Sequence, residues 1–199
     1  MNIAPVADGR AARKAHTRDA IVDAMLDLIT EGSPRPTAKE IAARAGVSLR
    51  SVYVHFDDLE DLFCVAAKRH YARVAPMLAP ISAAGSRRQR ATAFVGHRVE
   101  LYAKIGPVVR ATQLQAPFSP TLARIVRDAQ ARSRHEIERL FDAELGAMPE
   151  RERKRSAGII DVMTSSHAWV TLTESHGLPV ADALETMVEA ILLELGSGS

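Results

Sequence analysis

Thr37 to Phe56 reads TAKEIAARAGVSLRSVYVHF, and these twenty residues decide the fold. Thr37 followed three residues later by Glu40 is a capping box, which predicts a helix start. Ile41 and Ala42 give that helix an apolar face, with a small residue where another helix can cross closely. Gly46 supplies a position able to take positive φ, so the helix ends sharply there. Val47 is an apolar plug in the turn, and Ser48 is a strong N-cap for a second helix. Val52 and Phe56, four apart, pack inward from that second helix. Leu49, Arg50, Ser51, Tyr53 and His55 face largely outward. Two short helices joined by a tight turn containing glycine form a helix-turn-helix, whose second helix enters the major groove of DNA.

The outward residue types suit that task. Arg50, near the start of the second helix, can reach guanine or phosphate with a bidentate fork. Ser51, Tyr53 and His55 offer hydrogen bonds to phosphate oxygens, which fix orientation rather than sequence; for His55 the plainer reading is a solvated histidine. Thr37 and Ser48 are caps first and candidate DNA contacts second. Upstream, Arg10, Arg13, Lys14 and Arg18 against Asp8 make a basic arm of charge +3 (four minus one). Such an arm follows a DNA backbone or enters a minor groove.

Outward from this segment the chain reads as helices separated by breakers, with almost no strand-like alternation and no hairpin dipeptide. Ile21, Met25, Leu28 and Ile29 share one face of a helix expected over residues 18–31, with Thr17 as its N-cap and Asp19, Asp23 and Asp27 on the other side. Further helices are expected over 87–104, 121–145, 150–175 and 181–195, with Gly106-Pro107 as a boundary. The fold class is all-α, with about nine helices. Residues 1–75 form the DNA-binding domain with its arm, 76–195 a second helical domain, and 196–199 a flexible tail.

The 199 residues carry 26 basic and 24 acidic side chains, so the net charge of +2 does not by itself announce nucleic acid. With 47% apolar and 25% charged residues the composition is that of a globular protein, not of a disordered one. The single cysteine, Cys64, excludes a disulfide scaffold and a thiolate metal site, and sits among Leu62, Phe63 and Val65 as a packed small apolar residue. No histidine pair has metal-ligand spacing, so no metal and no cofactor are expected. No stretch approaches the roughly 18 consecutive apolar residues of a membrane span, and residues 1–14 do not read as a secretory signal. A cytoplasmic protein, at the nucleoid when bound to DNA, is expected. No phosphate loop, nucleophile elbow or zinc-protease pair appears, and Ser165-Ser166-His167 are neighbours that point different ways along a helix. The chain is therefore not read as an enzyme. The charge runs at 87–90 and 151–155 read as solvated helix faces.

The opening helix, the loop after it, Thr37, Ile41-Ala42, Ala45-Gly46-Val47-Ser48 and Val52-Tyr53-x-His55-Phe56 together resemble the tetracycline-repressor (TetR) family of bacterial regulators. The resemblance covers residues 17–71. A weaker likeness lies in Trp169-x-x-Leu172, Gly177-Leu178-Pro179 and the apolar last helix. The resemblance implies a homodimer, a palindromic double-stranded DNA operator and a pocket for a small-molecule effector in the C-terminal domain. It implies a dimer interface on the last helix, at Leu184, Met187, Val188, Ile191, Leu192 and Leu195. For the pocket wall the candidates are His97, Arg98, Tyr102, Gln113, Gln115, Phe118, Met163, His167 and Trp169. Arg98 projects from an apolar face, so it either snorkels to water or meets an anion inside. One departure concerns Asp57-Asp58-Leu59-Glu60-Asp61: Leu59 stands where the family commonly has a phosphate-contacting lysine. With the low net charge, it supports a second reading, a helical interaction or ligand-binding module with a vestigial helix-turn-helix.

Overall fold

The computed structural model describes residues 6–196, with side chains from Gly9 onward. The first residues of the arm and all of the expected tail except Gly196 lie outside the described residues. Among the described residues there are ten α-helices and no strand: α1 (Val6–Thr30), α2 (Ala38–Arg44), α3 (Leu49–His55), α4 (Leu59–Val74), α5 (Arg87–Gln115), α6 (Pro120–Leu140), α7 (Asp142–Leu145), α8 (Glu150–Met163), α9 (Ser166–Val170) and α10 (Val180–Glu194). The chain divides into two compact units. One comprises residues 1–75 and 107–124, the other 76–106 and 125–199. The expected split at residue 75 therefore needs correcting in one respect: 107–124 belongs to the first unit.

In the first unit α1 packs on α2 and α4, and α2 on α3. Its core is built from Ile21, Met25 and Ile29 of α1, Ile41 of α2, Val52, Phe56, and Leu62 and Phe63 of α4, all buried. Val22, Ala24 and Leu26 are buried too, so α1 is enclosed on more than the one expected face. The predicted start of α1 was wrong. Thr17 is not a cap; it lies inside the helix and its hydroxyl donates to the Arg13 carbonyl at 3.0 Å. A threonine can satisfy itself against the preceding turn in this way, and no breaker between residues 10 and 17 forces a stop. Asp19 and Asp23, the polar side of α1, pair with Arg69 and Arg73 of α4. These pairs are substantially exposed and add little stability. Cys64 is buried, as its neighbours suggest, and burial pushes its thiol pKa up.

The second unit has its own core: Phe94 and Val95 of α5, Ile137 and Leu140 of α6, Phe141, Ile160 of α8, Met187, Val188 and Ile191 of α10, and Leu195 at its C-cap. Phe94 and Phe141 meet edge-to-face with centroids 6.3 Å apart. The run at 87–90 is not a solvated face. Arg90 is buried; it donates to Glu144 at 2.6 Å, to the Leu140 carbonyl, and lies over the Phe141 ring. Burial opposes charge on Glu144, but Arg90 and Arg87 together hold its carboxyl below the usual carboxylate range.

Three expected boundaries moved. The 29-residue α5 runs through Gly106-Pro107. Proline inside a helix loses one hydrogen bond and costs about 3 kcal/mol, but Ile105, Val108 and Ala111 are buried around it and outweigh that cost. The helix expected over 121–145 breaks at Phe141, whose backbone leaves the helical region at φ −114° and ψ 29°. The helix expected over 150–175 breaks at Thr164, and Ser165 caps a new one by accepting from the Ala168 amide at 3.1 Å. That cap is also the role of Ser165 in the Ser-Ser-His triplet.

Candidate nucleic-acid interface

The turn from α2 to α3 is built as its residues dictate. The Thr37 hydroxyl accepts from the Glu40 amide at 3.3 Å, and the Glu40 carboxylate accepts from the Thr37 amide at 2.7 Å. The Thr37 bonds hold the Glu40 carboxyl below the usual carboxylate range. Gly46 takes φ +66°. Its amide donates to the Ala43 carbonyl at 3.2 Å, and the Val47 amide reaches back to Ala42 at 3.0 Å, so the last carbonyls of α2 are satisfied within the turn. Ser48 then caps α3 by accepting from the Ser51 amide at 3.1 Å. Val52 and Phe56 anchor α3 to the core.

This geometry sets the outward face. Leu49, Arg50 and Tyr53 are exposed, while Ser51 and His55 are half-buried. The Ser51 hydroxyl is 2.8 Å from that of Ser48. His55 has its Nδ1 enclosed. Burial first, then the nearby Lys14 and Arg18 charges, lower its pKa, so the ring is neutral at neutral pH. One outward residue escaped the sequence reading. Val54 is 62% exposed, more than Tyr53 at 54% or Leu49 at 47%. The signal was available: Val54 lies half a turn from both Val52 and Phe56.

The arm is helical from Val6, not extended, since α1 begins there. Arg10, Arg13 and Lys14 are exposed on it. Arg18 is committed elsewhere, with its guanidinium 4.5 Å from the Phe56 ring centroid, an arrangement worth about 0.5–1 kcal/mol at a partly exposed site. Asp58 caps α4 by accepting from the Asp61 amide at 2.7 Å, which accounts for part of the acidic run at 57–61. Leu59 is half-buried and lines a cavity of about 390 Å³ with Thr37, Tyr53, Gln115, Phe118 and Leu122. At this position the chain supplies cavity wall, not a cation.

Residues 21–64 match the family model of bacterial regulatory proteins of the tetR family. The match takes in 44 of the 199 residues (64 − 21 + 1), the helix-turn-helix and its flanks, and shows that segment to be of TetR type. A curated relative, the uncharacterized HTH-type transcriptional regulator TtgW of Pseudomonas putida, is 41% identical over 63 residues, covering 31% of this chain and 47% of the relative. The match thus spans about half the length of that relative. The TetR-type fold extends further than the sequence match. A transcriptional regulator from Rhodococcus superposes with a TM-score of 0.71 at 19% identity, over 89% of this chain and 95% of the other. A tetR-family regulator from Streptomyces coelicolor gives 0.68 at 19% identity, over 89% and 78%.

The candidate pocket residues divide between the two units. Gln113, Gln115 and Phe118 belong to the first unit, and His97, Arg98, Tyr102, Met163, His167 and Trp169 to the second. Gln113, Phe118, Met163 and His167 are exposed; Trp169 and His97 are half-buried. Arg98 meets an anion inside, but the anion is protein. Its guanidinium donates to Asp161 at 3.1 Å, to Ser133 at 2.9 Å and to Tyr102 at 2.6 Å, over the Phe94 ring. Tyr102 in turn donates to the Thr164 carbonyl at 2.7 Å, and burial raises its pKa. Arg98 is thereby a strut joining α5, α6 and α8. The expected dimer face also needs correction. Met187, Val188, Ile191 and Leu195 are buried in the chain's own core, with Leu184 and Leu192 packed against it. On α8 and α10 the large apolar residues left exposed are Ile159, Val162 and Met163, and Val180 and Leu193. Helices α8 and α10 pack on each other, and Ser156 donates to Glu194 across them at 2.6 Å.

Proposed function

We propose that the chain is a ligand-responsive repressor that binds a palindromic DNA operator as a homodimer and releases it when a small molecule binds. The observation that carries this reading is α3, capped by Ser48 and pinned by Val52 and Phe56, whose opposite face leaves Arg50 and Tyr53 exposed. A helix fixed on one side and bare on the other is what insertion into a major groove requires. Arg50 supplies the bidentate donor for a guanine edge, and the exposed cations Arg10, Arg13 and Lys14 supply phosphate attraction. Neutral His55 serves phosphate as a hydrogen-bond donor, not as a charge. Dimerisation, on the exposed apolar residues of α8 and α10, places two such helices on one duplex and makes the operator two-fold symmetric.

The effector acts by binding the form of the protein that does not fit DNA better than the form that does; equal affinity shifts nothing. Trp169, the single tryptophan, reports on the second unit by fluorescence. The deciding experiment is a gel shift with DNA upstream of the protein's own gene against scrambled duplex. A retarded band on the upstream DNA alone, lost on adding a compound that also changes Trp169 emission, is the expected result. Equal retardation of both duplexes would reject sequence-specific operator binding.

A further inference from the structure

The most outward residue of α3 is neither Arg50 nor Tyr53. At about 100° per residue, the anchors Val52 and Phe56 lie roughly 40° apart on the buried side, and Val54 projects roughly 180° from their midpoint. Arg50 lies one turn before Val54 and roughly 40° to one side; Tyr53 is roughly 100° away. Exposure agrees with the wheel: Val54 is the most exposed of the apolar and aromatic side chains on the helix. A β-branched residue left in water on a seven-residue helix gains nothing for the fold. It has no polar atom for a phosphate or for a donor or acceptor on a base edge.

We propose that Val54 is a specificity-determining residue that seats on the C5-methyl group of a thymine in each operator half-site, adjacent to the base pair read by Arg50. This rests on the operator-binding reading above and adds the chemistry of one base. Of the four bases, thymine presents a methyl group in the major groove, and an apolar side chain is its complement. Against cytosine, the same valine would cover an amino donor and leave it without a partner, which carries a penalty. The short, stiff side chain holds few rotamers, so it selects by position as well as by polarity.

The test uses the full-length protein and a duplex recovered by in vitro selection from random DNA. Each thymine of the recovered half-site is replaced in turn by deoxyuridine, which removes the methyl group and keeps every hydrogen-bonding atom. For the unsubstituted protein, one such replacement per half-site is expected to weaken binding by about fourfold, the worth of one buried methyl group. Val54→Ala, at an exposed site where the fold is not at stake, is expected to weaken binding to the thymine duplex and to remove the thymine–deoxyuridine difference at that position alone. Val54→Thr, nearly the same shape, should keep part of it. If no deoxyuridine replacement matters, or if Val54→Ala preserves the difference, the assignment is overturned while operator binding stands. If no duplex is enriched at all, the operator-binding reading fails and this inference fails with it.

Discussion

Arg50 and Tyr53 share a helix face, and the proposed operator binding gives them different tasks that substitution separates. Arg50→Ala should cost about 1–3 kcal/mol of operator affinity and relax preference at one or two base pairs per half-site. Tyr53→Phe should weaken cognate and scrambled duplex by the same factor, as loss of a phosphate contact does. Titrations of both variants on both duplexes check this, and equal losses for Arg50→Ala would remove it from base readout. A second prediction concerns protons. His70 has its Nε2 enclosed, and burial, then the Arg73 charge, lower its pKa below the usual 6.5. His55 is lowered in the same direction. The unfolded chain therefore binds protons before the folded one does. Stability is full above about pH 6.5 and is lost as pH falls from there toward the lower folded pKa values. Urea midpoints measured from about pH 8 to about pH 5 should fall on the acid side, and His70→Gln should flatten that fall in part. The side-chain chemistry of Thr37, Ser48 and Arg50 was legible in the sequence because caps and outward positions are set locally. The partner of Arg98 was not: Asp161 is 63 residues away, and no local pattern pairs them.

At the scale of elements, the α2–α3 turn is the piece on which the reading helix depends. Gly46 sits at φ +66°, and a Cβ added there would meet nothing within 4 Å. The expected loss for Gly46→Ala is therefore purely conformational, about 1–2 kcal/mol. Gly46→Asn should lose less, because asparagine tolerates the left-handed region better. Urea unfolding should rank the wild type above Asn and Asn above Ala; an Ala variant as stable as the wild type would mean the turn is reshaped. Helices α2, α3 and α10 were readable nearly to the residue, since each has a local stop and start signal. Proline before α10 and glycine before Ser48 are such signals. The beginning of α1 was misread because Thr17 has the residue type of a cap and the environment of a helix interior. Helix α5 was cut at Gly106-Pro107 because breaker residues are judged locally, whereas the buried side chains that carry the helix through come from tertiary packing. The break at Thr164 had its signal in Thr164-Ser165-Ser166, a run suited to ending one helix and capping the next.

At the scale of the whole molecule, the apolar stripe of α10 was visible in the sequence, but its destination was not. Periodicity shows that a face is covered and does not say by what. Ile191 is completely buried within its own chain, so Ile191→Glu should unfold the second unit rather than merely divide a dimer. Val162→Glu together with Leu193→Glu, both on exposed sites, should keep helical content and yield monomers. Sedimentation at micromolar concentration with circular dichroism distinguishes the two outcomes; a double variant that stays dimeric would move the interface elsewhere. The division of the chain has a consequence for biosynthesis. The first unit includes residues 107–124, which leave the ribosome only after the whole segment 76–106 has been made. Leu122, Val108 and Ala111, all buried, are not present when residue 75 emerges. At about 5–20 residues per second, the 49 residues from 75 to 124 (124 − 75) take roughly 2–10 s to add. During that interval the reading helix exists on a nascent chain whose core is unfinished. The pace at which residues 76–124 are added therefore sets when the unit that carries α3 has all of its chain.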